Sequence, residues 1–242
     1  MFVMETSPDQ SIPEPPWRAP RRTRPARTPL SREAIVDAAL RVVDREGTDA
    51  LSMRRVAEEL GTGPASLYWH VSSKDELINL LVDRVIGEVQ PPGTDPARWQ
   101  EEFREWAFRT REVFRRHPGV GGLTLGRIPV GPNLLRMAES SLALLRGAGI
   151  PDRIAAFAPD LLGLYLGALA YEESQGLPSP TGEDLPPEKI VEMIRDYFAS
   201  VPADRFPNVH ATLDEIFGGG PDQRFELGLE IIIRGFASYI QR

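Results

Sequence analysis

Residues Leu51–Lys74, LSMRRVAEELGTGPASLYWHVSSK, decide how the rest of the chain is read. Ser52 is a good N-cap, because its hydroxyl can accept from an N–H of the first helical turn that has no partner within the helix. Val56, Ala57 and Leu60 recur at helical spacing, and Gly61 follows where a helix end tolerates positive φ. Pro64 then sits just inside a second helix, where its missing N–H does no harm. That helix is short, because Ser73 caps another, with Glu76 three residues on completing a capping box. Helix, tight turn, short second helix is the helix-turn-helix arrangement, whose second helix enters the major groove of DNA. The stretch therefore predicts a DNA-binding regulator.

Around it, Ser31 opens a first helix with Ile35, Ala38, Ala39 and Val42 as its buried stripe and Gly47 as its end. Helix two is expected over 52–60, helix three over 64–70 and helix four from Ser73 to about Glu88. Over about fifty residues, the strings AIVDAALRVVDREG, ALSMRRVAEELG and LYWHVSSKDEL resemble the DNA-binding domain of the tetracycline-repressor family of transcriptional regulators. The resemblance implies a homodimeric repressor that binds a double-stranded palindromic operator and is released by a small organic effector.

Composition sets bounds on this reading. The 242 residues suit one small and one larger helical domain, 41% apolar and 26% charged. With no cysteine, disulfides and thiolate metal sites are excluded, in keeping with a cytoplasmic location. No metal or cofactor is expected. The longest apolar run, Leu161–Tyr171, falls short of the roughly 20 residues that cross a bilayer, so no membrane partner is expected. The Pro- and Arg-rich N-terminus lacks the apolar core of a secretory signal.

A net charge of −7 is unusual for a DNA binder. Positive charge is concentrated in Arg18, Arg21, Arg22, Arg24 and Arg27, a ten-residue stretch without an acid, whereas residues 30–77 hold six Lys/Arg against nine Asp/Glu. Residues 1–29 are accordingly expected to be a disordered basic arm whose Arg21, Arg22, Arg24 and Arg27 meet DNA. Residues 30–77 are expected to form the DNA-binding domain, and 78–242 the effector-binding and dimerisation domain.

Within the helix-turn-helix, Leu67 and Val71 share a face and should be core anchors. Tyr68 points partly away from that face, Trp69 should pack on the domain while touching the sugar-phosphate backbone, and His70 suits a phosphate. The family resemblance implies a base-contacting role for Arg54 and a phosphate contact for Lys74. It places Met53, Pro64 and Ala65 at groove-facing positions, where residue changes predict a different operator. Ser52 completes the DNA-facing set.

Beyond Pro91-Pro92-Gly93 the pattern is helical throughout: 95–116, 132–146, 152–175, 188–200 and 222–240, with Asp152 as a cap and no convincing strand. The predicted class is all-α. Two helices are unusually apolar, Ile154–Tyr171 and Phe225–Ile240, with Gly163, Gly167 and Ala170 allowing close packing. In the family the corresponding helices form a four-helix bundle with a second subunit; the alternative is a monomer core. The family's magnesium-chelating histidine and acid align with Thr124 and Tyr171, which argues against a metal-bound effector. Phe103, Trp106, Phe108, Leu125, Ile128, Leu164 and Tyr165 are available as an apolar and aromatic lining beside Tyr171, with Thr124, Arg127 and Tyr165 as the polar orienting groups. His117 and His210 read as caps or surface residues, and Glu172-Glu173 as a solvated pair or a cation site. No catalytic motif supports an enzyme. The alternative function is a small-molecule sequestering protein with a vestigial DNA-binding domain.

Overall fold

The structure, a computed structural model, describes residues 30–127 and 130–240. Arg21, Arg22, Arg24, Arg27 and Ile128 lie outside the described residues.

Ser31 starts α1 (Arg32–Glu46) by accepting from the Ala34 N–H at 3.1 Å. The expected stripe of Ile35, Ala38, Ala39 and Val42 is fully buried. Gly47, at φ +83°, closes the helix with its N–H on the Val43 carbonyl. A single 3₁₀ turn leads to α2 (Met53–Glu59), capped by Ser52, whose Oγ accepts from the Arg55 N–H at 3.1 Å. Next comes α3 (Pro64–Leu67), shorter than expected. After Leu67 the chain turns instead of continuing, and the Leu67 carbonyl accepts from both the His70 and Val71 N–H groups at 2.9 Å. Three consecutive aromatic residues give little helix propensity to resist that turn. Ser73 then caps α4 (Lys74–Ile86), accepting from the Glu76 N–H at 3.0 Å. Glu76 reaches back one residue further than a standard capping box, to the Ser72 N–H and hydroxyl.

The second half begins with a 3₁₀ turn, Pro96–Arg98, capped by Asp95, so α5 (Trp99–Arg116) starts later than expected. A short α6 (Val120–Leu123) forms inside what reads as a Gly-rich connection. It is followed by α7 (Pro132–Gly147) and α8 (Asp152–Gln175), where Asp152 is the first helical residue and Pro151 the cap. The last elements are α9 (Pro187–Ser200), the short α10 (Pro207–Ala211) and α11 (Leu213–Phe217), and α12 (Pro221–Ala237). Helices α10 and α11 carry no long periodic stripe and were not expected from sequence. No strand occurs among the described residues, and the fold is all-α.

Helix α4 packs against α1 on one side and against α5, α6 and α7 on the other. Residue 77, the expected domain boundary, lies inside it. The buried Asp83 of α4 fixes this arrangement. Gly131, at the start of α7, offers no side chain to cap the helix. Asp83 Oδ1 does so from outside, accepting from the Asn133 and Leu134 N–H groups at 3.1 and 3.0 Å. Asn133 Nδ2 returns a bond to the Asp83 carbonyl at 2.9 Å.

Helix α8 is the central helix, in contact with α5, α6, α7 and α12. With residues outside the longest apolar run included, an 18-residue window of α8 averages a mean hydropathy of 1.5, so by length and composition alone it could cross a membrane. Its packing among four helices identifies it as the helix the bundle is built on. Gly121 and Gly167 let α6 lie directly on α8: a Cβ on Gly167 would sit 2.6 Å from Thr124 Oγ1, and one on Gly121 would meet the Ala170 Cβ.

An arginine–carboxylate cluster joins α5, α8 and α12. Arg111 is buried, its guanidinium 4.4 Å from the Phe225 ring centroid and paired with Glu173 and Asp222. Arg115 contacts the same two carboxylates. Glu172 pairs with Arg224 at 2.7 Å. The Glu172-Glu173 pair is therefore neutralised by arginines, and Glu172 also keeps the solvent contact expected of it, with a 45% exposed side chain. Burial pushes the Glu173 carboxyl up, but the Arg115 and Arg111 guanidiniums outweigh that and hold it below its usual 4.5.

A carboxylate held low stabilises the fold above its unfolded-state pKa, and that contribution is lost as pH falls through the folded-state value. Glu173→Gln should lower stability by about 1–3 kcal/mol near neutral pH. The gap from wild type should close as pH drops below about 4. Thermal melts by circular dichroism between pH 3 and 7 measure this; a gap independent of pH would contradict the role given to Glu173.

Candidate functional site

The first candidate surface is built on α2 and α3. The two adjacent arginines of α2 have different surroundings. Arg55 is held inside the domain, with Nε 2.9 Å and Nη2 2.6 Å from the Glu46 carboxylate and Nη2 3.3 Å from Glu59. Hydrogen bonding to Glu46 is the main cause that raises its pKa above the ordinary arginine value. Arg54 points outward with an 84% exposed side chain, paired with Glu58 one turn on at 3.0 Å. Pro64, Ala65 and Lys74 are exposed beside it in sequence.

Leu67 and Val71 are fully buried, as expected of core anchors. Tyr68 is 53% exposed. Trp69 does not pack on the domain: it is 88% exposed, because the turn that ends α3 carries its ring away from the core side. His70 is half-buried, and its carbonyl accepts from Arg32 Nε at 3.3 Å. Met53 is not groove-facing, since it sits at the start of α2 on the buried side with Val56 and Ala57. Ser52 is half-buried with its Oγ engaged by the Arg55 N–H.

The second candidate site is a cavity of about 280 Å³ between α4, α5, α7 and α8. Of the residues expected to line it, Trp106, Thr124, Arg127 and Leu164 do so. Phe103 does not, because it is fully buried edge-on between the Trp106 and Phe236 rings. Tyr165 turns to α12, where it stacks near Phe225 and donates to the Arg224 and Phe225 carbonyls. Tyr171 is half-exposed beside Gly122, Leu125 lies against Gly167, and Phe108 pairs with Phe225 at 4.9 Å. None of these four is in the cavity wall.

Several wall residues were missed from sequence. Val82 and Ile86 come from α4, Thr110 and Phe114 from α5, Leu134, Met137 and Ala138 from α7, and Pro159, Asp160, Leu162 and Leu166 from α8. Val82 and Ile86 have helical i, i+4 spacing, a signal that was available but could not say which neighbour they face. Pro159 interrupts α8 at the wall, since it cannot donate to the carbonyl one turn back.

Two further polar contacts tie the residues after α5 to α4 and α1. Arg127, in the wall, lies 2.9 Å from Asp75 in the first turn of α4. His117 is the C-cap of α5, one of the two roles expected of it, and its ring is buried between Asp44 of α1 at 2.9 Å and Glu88 at 3.3 Å. His210 bonds the Val201 carbonyl through Nε2 at 2.7 Å.

Residues 35–81 match the family described as bacterial regulatory proteins, tetR family, and residues 91–240 match the family described as tetracyclin repressor-like, C-terminal domain. This chain belongs to the tetracycline-repressor family. It is a helix-turn-helix transcriptional regulator and not an enzyme. It is similar to an HTH-type transcriptional regulator of Saccharopolyspora erythraea, 30% identical over 97% of this chain and 96% of the relative. The HTH-type transcriptional repressor DrrR1 of Streptomyces coeruleorubidus is 34% identical over 88% of this chain and 80% of its own. The crystal structure of the Streptomyces coelicolor family member ActR in complex with actinorhodin superposes with a TM-score of 0.78 at 41% identity, covering 87% of this chain and 97% of ActR. In this repressor-family member the α2–α3 surface is the helix-turn-helix, and the cavity lies in the C-terminal family region together with the end of α4.

Proposed function

We propose that this protein is a homodimeric, cytoplasmic repressor that binds a palindromic operator and is released by a small organic effector occupying the α4–α8 cavity. The observation that carries the reading is the double duty of α4. It packs against α1 of the DNA-binding region, and it contributes Val82 and Ile86 to the cavity wall. An occupant that prefers a different position of α4 changes the spacing of the two recognition helices, which must match successive major grooves about 34–36 Å apart. That ActR is a family member with a bound small molecule supports the ligand-responsive part of the reading.

The dimer is supported by the faces of α8 and α12 that the chain leaves open. Phe157 is 65% exposed, Leu227 64% and Ile231 62%, and nothing approaches the open side of Gly235. On the same helices Leu162, Leu166, Leu229 and Ile233 are buried within the chain. Each helix therefore has one partnered and one unpartnered apolar side, as a four-helix interface with a second copy requires. In this reading residues 30–77 recognise DNA, 78–242 bind effector and dimerise, and the arm 1–29 adds phosphate contacts through Arg21, Arg22, Arg24 and Arg27.

Arg54, Tyr68, Trp69 and Lys74 are the exposed groups proposed to meet DNA, with Pro64 and Ala65 beside them and His70 and Ser52 contributing at the helix ends. A site selected from random DNA should be palindromic. Arg54→Ala should cost about 1–3 kcal/mol at one base position of each half-site. Equal weakening on every sequence would reassign Arg54 to the phosphates, and no retained DNA at all would favour a sequestering protein.

Neither Thr124 nor Tyr171 offers a strong metal ligand to the cavity: Thr124 carries a neutral hydroxyl, a weaker ligand than an imidazole or a carboxylate, and Tyr171 lies outside the wall. Effector-driven release of operator DNA should therefore proceed equally with and without EDTA. Release that stops in EDTA would contradict this and restore a chelate mechanism.

A further inference from the structure

Three carboxylates and three basic groups meet where α1, α4 and α5 come together. Arg84 of α4 lies between Asp37 of α1 at 3.4 Å and Glu88 at 3.1 Å, and Arg116, the last residue of α5, reaches Glu88 at 3.1 Å. His117 completes the group, with Nδ1 2.9 Å from Asp44 of α1 and Nε2 3.3 Å from Glu88. The ring is buried, and the chain just after it is pressed onto the turn that follows α1. There Gly119, at φ +87°, approaches so closely that a Cβ would lie 2.8 Å from Thr48 Cγ2.

Both nitrogens of one imidazole thus face a carboxylate. An ionised carboxylate only accepts, and a neutral imidazole has one N–H to give, so one of the two contacts would set lone pair against lone pair. The doubly protonated ring donates to both. It also balances the group: three carboxylates then face two guanidiniums and an imidazolium, whereas a neutral ring leaves one negative charge in excess. Glu88 meets the ring as a carboxylate: burial pushes its carboxyl up, but His117, Arg116 and Arg84 together hold it below its usual 4.5.

We infer that doubly protonated His117 is a clasp that holds the DNA-binding domain to the ends of α4 and α5, and that operator affinity falls when the clasp loses its proton. The inference rests on the operator-binding reading. Of the ring's two partners, Asp44 belongs to the DNA-binding domain, and Glu88 follows the helix that domain shares with the cavity wall. The flanking backbone belongs to the cavity as well. The His117 N–H bonds the Phe114 carbonyl at 3.2 Å, and Val89, next to Glu88, bonds the Ile86 carbonyl at 3.0 Å. Phe114 and Ile86 are both wall residues, whereas His117 is not. His117 is therefore a positioning residue, which fixes α1, and α2 packed on it, relative to the two helices behind the wall. With one arm lost, α1 can shift and carry the recognition helices off the spacing that successive major grooves require. An imidazole changes charge between about pH 5 and 8, so a contact that needs its proton is present at low pH and lost as pH rises.

The test uses the full-length protein and the site it selects from random DNA. Fluorescence anisotropy gives the affinity at about pH 6 and about pH 8.5, toward either end of the usual imidazole range. In the free protein, long-range ¹⁵N–¹H spectra of the imidazoles, assigned by substituting the three histidines in turn, report the protons on His117. Its ring should carry two N–H groups at the lower pH and one at the higher. Across the same step the wild type should lose roughly 10-fold more operator affinity than His117→Gln, whose profile keeps only what other groups such as His70 contribute. Asp44→Asn, which leaves the ring in place, should flatten the profile likewise and decides the question if the Gln variant folds poorly. A ring with one N–H at both pH values, or one shared profile for wild type and variants, would overturn the clasp. If no DNA is retained from the random pool at either pH, the operator reading falls and takes this inference with it, whatever the ring's protons do.

Discussion

The buried carboxylate of Asp83 is the contact on which the arrangement of helices depends. A charge in that position is tolerable only with several donors, and it finds them at the uncapped start of α7. Around it α4 makes two more polar ties of the same sign. Asp75, one turn from the recognition unit, meets Arg127 of the cavity wall, and Glu88, just past its C-terminus, meets Arg116 and His117. His117 in turn reaches Asp44 on α1. Asp75, Asp83 and Glu88 tie α4 and the residues just after it to the half that holds the cavity, while apolar residues of α4 pack both on α1 and in the cavity wall. The geometry makes α4 a common wall.

Charge explains why this regulator is hard to recognise by electrostatics. Arg41, Arg45 and Arg55 are drawn into pairs with Glu46 and Glu59, so much of the basic charge near the helix-turn-helix is cancelled within the domain. What remains outward is a small set: Arg54, lightly held by Glu58, and Lys74, with the exposed rings of Tyr68 and Trp69 between them in sequence. Binding of that kind rests on shape and on a few directed contacts, with stacking and hydroxyl groups supplementing a modest phosphate attraction.

The recognition unit was largely legible in the sequence because its signals are local. A serine three residues before its N–H partner, a glycine at positive φ and an apolar stripe are each complete within one turn, and Ser31, Ser52, Ser73 and Gly47 all behave as read. The cavity was legible only in part. Periodicity says that Phe103 and Tyr165 are inward but not which neighbour they face, and α12 captures both. Trp69 was misjudged because the helix was expected to run past Leu67. Met53 was misjudged because alignment to a family position says nothing of how deeply the first residue of α2 is packed. The arginine partners of Glu172 and Glu173 lie about fifty to sixty residues away in sequence, beyond the reach of any spacing argument.

The central claim is that the polar ties of α4 to the cavity wall set the positions of the recognition helices. The chain has no cysteine, so Ala65→Cys on the exposed start of α3 gives a single spin label in each copy. Distances between the two labels of the proposed dimer can then be measured by double electron–electron resonance, in this background and with Arg127→Ala and Asp83→Asn added. The account predicts one dominant separation with the ties intact and a shifted or broadened distribution once they are cut, at unchanged helicity. Superimposable distributions would contradict it.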